Sequence, residues 1–234
     1  MTATLNLLLA GPLQSWGGPT RTQNRPTNLE PTKSGVVGLC AAALGINRGD
    51  PTDHLTSLKM GVRVDQEGHL ERDYQTVSPH PHTGGNHLST NVNKSGKQRT
   101  TSSEGARIRQ ATYLADACFT VALTGDNHLL HEIADALTTP TYPLSLGRAA
   151  FPPSRPPLLG ITPHNNPEAA LRDLPWQATP HYRHLHPEIT HLRAVIETED
   201  SAGDLITDVP TQKTLPRAWA SRRVTHTQIP IKTE

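Results

Sequence analysis

Basic side chains with few acidic neighbours are the first candidates for chemistry in this sequence. They collect in two stretches, although the formal net charge of the whole chain is only +1. Lysine and arginine with Ser, Thr and Asn between them are the residue types that contact phosphate oxygens. We therefore predict a defined path for an anionic ligand, with solvated loops as the alternative. The first stretch carries Lys94, Lys97, Arg99, Arg107 and Arg109 with the single acid Glu104, and the second carries Lys213, Arg217, Arg222 and Arg223.

Lys33 lies at the start of a predicted helix. A cation at this position opposes the helix macrodipole by about 0.3 to 1 kcal/mol unless an anion lies there too. The placement of Lys33 therefore favours a bound phosphate. The alternative is an exposed lysine whose aliphatic stem covers the end of the helix.

The tripeptide Leu146-Gly147-Arg148 is another place suited to phosphate. Glycine permits a close approach of the backbone, and the planar guanidinium of arginine matches phosphate or a base edge. Since a Gly-Arg pair is common, an ordinary turn glycine followed by a solvated arginine is the alternative.

The chain has 13 histidines, a residue type that binds metals and serves in acid-base catalysis. No set of cysteines or carboxylates completes a metal shell, so we predict neither a metal nor another cofactor. A metal-independent ribonuclease could draw on Tyr74, His80, His82 and Lys94 for general acid-base chemistry. Nothing in the sequence fixes the mutual geometry of these four side chains.

Trp16 is the aromatic residue with two possible roles. It either caps the core behind the first predicted strand or stacks on a nucleic-acid base, and base rates favour the core. Three Trp, four Tyr and two Phe are too few for a sheet that stacks bases, and no strand of the type that RNA-recognition domains use for stacking is present. Any RNA must then be held by loops, by helix ends and by the arm that carries the first basic stretch.

Hydrophobic periodicity predicts the elements that position these residues. Alternation predicts strands at Ala3 to Leu9, at Met60 to Val64 and, as one continuous strand, at Tyr113 to Leu123. Helices are predicted from Ser34 to a stop at Gly45, with Thr32 or Ser34 as N-cap, and over 129–137. An extended run at 142–146 follows. The order strand, helix, strand, strand, helix, strand predicts an α+β, ferredoxin-like fold, which RNA-recognition domains share.

The same pass along the chain predicts four regions. Residues 1–78 form the first half of the ferredoxin-like palm, and 79–110 form an inserted arm that is too polar for a core of its own. Residues 111–150 form the second half of the palm. A boundary at FPPSRPP then starts a small β-rich C-terminal region, 151–234, packed on the palm, with a short helix near 167–174 and strands at 192–197 and from Leu205.

The cysteines and the hydropathy of the chain indicate its cellular compartment. Cys40 and Cys118 sit in apolar runs far from each other, which favours reduced thiols in the core. No run of about 18 apolar residues and no standard signal sequence is present. We expect a cytoplasmic protein without membrane contact.

Three segments carry a resemblance to a known family. The sequences LLLAGPLQSWG (7–17), PTKSGVVGLCAAALGI (31–46) and YPLSLGRAAFPP (142–153) together resemble the CasD family of type I-E CRISPR Cascade. Similar segments are DYQT at 73–76, the run at 109–123 and DVP at 208–210.

The resemblance implies a noncatalytic subunit with a ferredoxin-like palm of the RAMP superfamily and a thumb β-hairpin. In that family the palm and its glycine-rich loop hold the 5′ handle of the crRNA, and the subunit contacts the terminal backbone subunit and the large subunit, and indirectly target DNA. Binding roles carry over to matching positions. These are Lys33, Ser34, Gly147 and Arg148, followed by Gln14, Trp16 and Arg25.

Two alternatives stay open beside this hypothesis. The first alternative is an endoribonuclease, because a sister family in type I-C systems processes guide precursors. The second is a protein-protein adaptor with incidental RNA contact. One departure from the family pattern concerns Ala149 and Ala150, which follow the Gly-Arg pair where a basic or polar residue is common. The loop would then bind RNA more through backbone N–H groups than through side chains.

Overall fold

The computed structural model describes residues 2–17, 25–47, 49–77, 107–211 and 218–232. No helix within these ranges combines the length and the apolar character needed to cross a bilayer.

Two antiparallel sheets and five helices make up the described chain. Seven strands form the main sheet in the order β7-β1-β6-β3-β8-β10-β9, and three form a second sheet in the order β2-β5-β4. The elements are β1 (Thr2–Ala10), β2 (Leu13–Gln14), α1 (Lys33–Leu44), α2 (Asp53–Thr56), β3 (Lys59–Gln66), β4 (His69–Val77), β5 (Arg107–Ala115), β6 (Cys118–Asp126), α3 (Asn127–Thr138), β7 (Leu158–Thr162), α4 (Pro167–Asp173), α5 (Pro180–Leu185), β8 (His191–Thr198), β9 (Asp204–Thr211) and β10 (Ala218–Pro230).

Strand β1 confirms the prediction made from its alternation. Leu5, Leu7 and Leu9 join the main core with residues of α1 and α3. Because successive side chains of a strand point to opposite faces, Thr4 and Asn6 lie on the other side of the sheet, where they are buried as well. Both faces of the central strands are therefore covered.

Helix α1 begins and ends where its caps predict. The Thr32 hydroxyl accepts a hydrogen bond from the N–H of Gly35 at 3.3 Å, so Thr32 is the N-cap. Gly45 takes the left-handed conformation at φ 75°, and its N–H donates to carbonyls of the last turn. Val36, Val37 and Leu39 are buried, as the apolar composition predicted.

Helices α1 and α3 each connect two strands that are not neighbours in the sheet. Strands β1 and β3, joined through α1, have β6 between them, and strands β6 and β7, joined through α3, have β1 between them. These are two split β-α-β units. The predicted order of elements is present, but two of its strands were misplaced.

The prediction of one continuous strand from Tyr113 to Leu123 is wrong. The chain turns at Asp116, whose φ is 56°, and the two parts belong to different sheets as β5 and β6. The apolar alternation runs through the turn without a break. Aspartate tolerates the left-handed conformation better than most residues, and that was the only local signal.

The prediction of a strand at 142–146 is also wrong. Thr141 and Tyr142 donate their N–H groups to the carbonyls of Ala43 and Ala42 at the end of α1, and Pro143 has no N–H. This segment therefore caps a helix instead of joining a sheet. The place beside β1 is taken by β7, which lies later in the chain.

The C-terminal part of the chain is β-rich and extends the main sheet. Strand β8 pairs with β3, and β10 and β9 follow it outward. The predicted helix near 167–174 is α4, and the strands predicted at 192–197 and from Leu205 lie within β8 and β9. The region is thus an extension of the sheet, while the boundaries assigned to the four regions stay predictions.

The segment 164–177 covers the face of the sheet that lies opposite α1 and α3. Pro167 and Leu171 of α4 pack so closely on Gly61 of β3 that a Cβ there would meet them at 2.8 and 3.1 Å. The buried Arg63 donates to the carbonyls of Leu171, Leu174 and Pro175.

Asp65 completes the attachment of this segment. Its carboxylate pairs with Arg63 at 2.7 Å and accepts from the N–H of Gln177 at 2.7 Å, while its carbonyl accepts from the indole N–H of Trp176. The covering segment is therefore bound by a fully buried ion pair as well as by apolar contacts.

We predict that Arg63→Met lowers the free energy of unfolding by about 3 to 5 kcal/mol, because it leaves the carboxylate of Asp65 buried without a counter-ion. Urea denaturation followed by circular dichroism measures this change. Arg172→Met is the matched control, since the pair of Arg172 with Glu168 is exposed and is worth less than about 1 kcal/mol. Equal effects of the two substitutions would contradict the structural role of Arg63.

Candidate nucleic-acid interface

A short loop at residues 146–151, called the glycine loop below, projects from the core on two buried anchors. Leu146 and Phe151 are both buried. The N–H of Leu146 donates to the carbonyl of Phe151 at 2.7 Å, and the N–H of Phe151 donates to the carbonyl of Arg148 at 2.9 Å. The N–H of Ser15 donates to the carbonyl of Leu146 at 3.0 Å. The loop is thereby closed at its base before any ligand arrives.

Gly147 is the residue that permits this geometry. Its φ of 90° lies in the region that favours glycine, and a Cβ there would lie 1.8 Å from the carbonyl oxygen of Ser15. The close backbone approach predicted for this glycine is present, and its immediate partner is the chain's own segment after β2.

The tip of the glycine loop presents backbone donors. Within the described residues, the N–H groups of Gly147, Arg148, Ala149 and Ala150 have no hydrogen-bond acceptor. Successive N–H groups of this kind form concavities that bind anions. Three of these residues are exposed and Arg148 is half-buried, so an anion can reach them from solvent.

Arg148 is held against the base of the hairpin formed by β4 and β5. Its Nη1 donates to the hydroxyl of Tyr113 at 2.8 Å, and its guanidinium carbon lies 4.7 Å from the centroid of the Tyr113 ring. The hydroxyl of Tyr113 in turn donates to Oδ2 of Asp73 at 2.7 Å. Burial raises the pKa of Tyr113, and its bond to Asp73 acts in the same direction.

Arg109 lies on the same hairpin, and Arg25 lies beside it. The N–H of Arg25 donates to the carbonyl of Gln110, and its carbonyl accepts from the N–H of Thr112, so its backbone runs beside β5. Both arginine side chains are exposed. Residues 109 and 113 share a face of β5, because side chains alternate along a strand. Arg107 begins the strand.

Lys33 lies elsewhere and is not exposed. Its side chain is 3% exposed, and its Nζ contacts both carboxylate oxygens of Glu197, at 2.8 and 2.9 Å. Burial lowers the pKa of Lys33, and the pair with Glu197 opposes that shift. The predicted alternative of an exposed stem over the helix end is wrong. Phosphate binding by Lys33 stays a prediction that would require displacing Glu197.

The anion expected at the N-terminus of α1 is supplied by the protein itself. Oδ2 of Asp208 accepts from the backbone N–H of Lys33 at 2.8 Å, and Arg222 bonds both oxygens of Asp208 at 2.7 and 2.8 Å. Arg222 also approaches Glu197 at 3.5 Å. Lys33, Glu197, Asp208 and Arg222 are called the four-charge network below. Lys33, Asp208 and Arg222 are thus buried together, and Glu197 beside them is 17% exposed.

The side chains of Gln14 and Trp16 are buried in the core, and that of Ser34 bonds to a neighbouring residue. Trp16 is fully buried, which confirms the core position among its two alternatives, and its indole N–H donates to Gln14 Oε1 at 3.0 Å. Nε2 of Gln14 donates to backbone carbonyls of Leu9 and Ala117. The hydroxyl of Ser34 is bonded to that of Thr32. The ring of Trp16 therefore has no face free for a base, while the binding roles of Gln14 and Ser34 stay predictions.

Several candidate residues lie outside the described residues: His80, His82, Lys94, Lys97, Arg99, Lys213 and Arg217. Tyr74 is 59% exposed on β4. In the ranges that the structure describes, no group of three or more His, Cys, Asp or Glu residues is placed to hold a metal ion.

Comparison with known proteins agrees with the resemblance found in the sequence. The family described as CRISPR-associated protein (Cas_Cas5) matches residues 4–227. The chain belongs to the Cas5 family. It is 36% identical to the CRISPR system Cascade subunit CasD of Escherichia coli (strain K12) over 177 residues, which are 73% of this chain and 76% of that protein. The resemblance to CasD is confirmed.

Two solved structures share the fold of this Cas5 chain. One, described as a crystal structure of a Cas protein, is 34% identical with a TM-score of 0.69, and 97% of this chain and 95% of that chain are covered. The other, described as a CRISPR RNA-guided surveillance complex, is 28% identical with a TM-score of 0.73, covering 97% and 90%.

Sequence reasoning missed Tyr113 and Asp73 as parts of the candidate site. The alternation predicts only that Tyr113 belongs to a strand, and DYQT enters only as a segment similar to the family. A tyrosine in a strand usually buries its ring, and the partner of its hydroxyl lies 40 residues away. Only the pairing of β4 with β5 brings the two side chains of this Cas5 member together.

We predict that Gly147→Ala is more destabilising than Gly160→Ala. Both glycines have positive φ, so alanine costs about 1 to 3 kcal/mol of backbone strain at either position. A Cβ at Gly160 meets no atom within 4 Å, whereas at Gly147 it collides with Ser15 and adds about 1 to 3 kcal/mol of overpacking. Chemical denaturation of both variants measures the difference. Equal stability would mean that the glycine loop shifts at no cost.

Proposed function

We propose that this chain is the noncatalytic RNA-binding subunit of a type I-E CRISPR Cascade, which holds the 5′ handle of the crRNA and caps the filament of backbone subunits. Family membership and the identity to CasD support a place in such a complex. The observation that carries the RNA-binding role is the glycine loop, which presents backbone N–H groups and Arg148 in a geometry that Ser15 and Tyr113 fix.

The arrangement of the sheet supports binding by a loop. The strands β7, β1, β6 and β3 with α1 and α3 form what we take to be the ferredoxin-like palm of the RAMP superfamily. RNA-recognition domains stack bases on the sheet face that lies opposite the helices. In this chain α4 and the segment after it occupy that face, so RNA must contact loops and edges.

The proposed interface follows the hairpin base towards the glycine loop. Backbone N–H groups at 147–150 and the guanidinium of Arg148 take one or more handle phosphates, since charged and backbone N–H donors both suit phosphate oxygens. Arg25 and Arg109 are exposed beside Tyr113 and contact neighbouring phosphates. Lys33 takes part in RNA binding only by releasing the carboxylate of Glu197, with which it pairs at 2.8 Å.

The proposal of a thumb rests on the sequence of the insertion and on the pairing of the two strands, β4 and β5, from which it extends. Strands β4 and β5 form the described base of the insertion, and Arg107 and Arg109 lie in the first part of β5, where the chain returns from it. Lys94, Lys97 and Arg99 belong to the same insertion, and we assign them to the RNA backbone where handle meets spacer. The terminal backbone subunit and the large subunit are the proposed protein partners, and target DNA is met indirectly.

We predict that Arg148→Gln weakens binding of a synthetic RNA that carries the 5′ handle. The slope of log affinity against log salt should fall by about 0.7 for each phosphate contact that is lost. Titration of the full chain by fluorescence anisotropy at several salt concentrations measures both quantities. Arg172→Gln is the control, because Arg172 pairs with Glu168 on α4, away from the glycine loop.

Two results would contradict the proposal. Wild-type affinity and slope in Arg148→Gln would remove the Arg148 guanidinium from the RNA interface and favour the adaptor. Cleavage of repeat RNA at a single site without divalent metal, abolished by Tyr74→Phe, would favour the endoribonuclease. In the expected outcome, repeat RNA stays intact with the wild-type chain.

We predict that the inserted arm serves assembly more than folding. Replacing residues 85–106 by a short Gly-Ser linker removes few apolar side chains, so the melting temperature should stay nearly constant. Incorporation of guide RNA and of the terminal backbone subunit should fall, because Lys94, Lys97 and Arg99 are lost. An unfolded variant would make the arm part of the core, and assembly at wild-type yield would remove the thumb role.

A further inference from the structure

Three side chains from separate segments form one hydrogen-bonded series beneath the glycine loop. Arg148 donates to the hydroxyl of Tyr113 at 2.8 Å, and Tyr113 donates to Oδ2 of Asp73 at 2.7 Å. Nε2 of Gln75 donates to the same oxygen of Asp73 at 2.6 Å. The series joins the glycine loop to β5 and β4, which are the base of the insertion.

The chemistry of the tyrosine hydroxyl fixes the direction of the series. A hydroxyl has one proton, and Asp73 as a carboxylate only accepts hydrogen bonds. The proton of Tyr113 therefore points to Asp73, and a lone pair of its oxygen is left for Arg148. The ring of Tyr113 is itself held edge-on against Phe151, with centroids 4.8 Å apart. Both the position and the polarity of the acceptor that Arg148 meets are thereby set.

We propose that Tyr113 and Asp73 are positioning residues that hold the guanidinium of Arg148 ready for a phosphate of the RNA. This role rests on the proposed function of Arg148. An arginine side chain has many rotamers, and ordering it during binding lowers affinity. Tyr113 restricts Arg148 in advance with one hydrogen bond and the face of its ring, while the other N–H donors of the guanidinium stay available for a ligand.

The test combines single and double substitutions in the full chain, titrated with the synthetic handle RNA. Tyr113→Phe keeps the ring and removes only the hydroxyl. It should weaken binding about three- to tenfold, which is the effect of freeing one long side chain. The slope against log salt should stay at the wild-type value, because the number of phosphate contacts is unchanged. Asp73→Ala, which removes the acceptor of the Tyr113 proton, should act in the same direction.

A double-mutant cycle separates positioning from a general structural effect. In the Arg148→Gln background, Tyr113→Phe should cause no further loss of affinity, since there is no guanidinium left to position. Tyr142→Phe is the matched control, because the hydroxyl of Tyr142 also makes a side-chain hydrogen bond, to Asn47 at the far end of α1. It should bind RNA as the wild type does.

The outcomes distinguish this role from the proposed function. If Arg148→Gln weakens binding while Tyr113→Phe does not, the positioning role is overturned and the glycine loop remains the interface. The same holds if Tyr113→Phe weakens both backgrounds by the same factor. If Arg148→Gln itself has no effect, the proposed RNA contact of Arg148 fails, and the positioning role falls with it.

Discussion

The four-charge network at the N-terminus of α1, three of whose members are buried, is the constraint on which the arrangement of the chain depends. Lys33, Glu197, Asp208 and Arg222 come from α1, β8, β9 and β10. A charge buried without its partner is strongly destabilising, so these four groups must be brought together whenever the chain folds. The C-terminal strands β8, β9 and β10 are thereby held in one position relative to α1. Motifs distant in sequence, PTKSG and DVP, share this single physical task.

From this network a continuous series of packing contacts leads to the glycine loop. The first turn of α1 lies against the indole of Trp16, where a Cβ on Gly35 would come within 2.7 Å of the ring. Trp16 and Gln14 are hydrogen-bonded to each other, and Ser15 between them contacts both Leu146 and Gly147. The C-terminal strands of the main sheet and the candidate interface thus belong to one densely packed unit, in which local changes are transmitted.

Local patterns predicted those parts of the fold that local forces determine. The alternation of Leu5, Leu7 and Leu9 and the caps Thr32 and Gly45 describe interactions within a few residues, and β1 and α1 match them. The partner of Lys33 lies 164 residues away, and nothing near Lys33 in sequence indicates it. The turn at Asp116 and the position of β7 depend likewise on which sheet each strand joins. The Gly-Arg pair predicts the glycine loop, but the support from Tyr113 arises only through tertiary contact between β5 and the loop.

Because α4 covers the sheet, any other ligand of that face must compete with it. A short connection joins β7, which ends at Thr162, to α4, which begins at Pro167. A tether of this length holds the covering segment at an effective concentration of about millimolar or more near its own binding face. Any nucleotide that approached this face would compete with a ligand that is covalently attached and anchored by Arg63. The chain therefore carries its own permanent competitor for this face, and bases cannot stack on the sheet while the covering segment is bound.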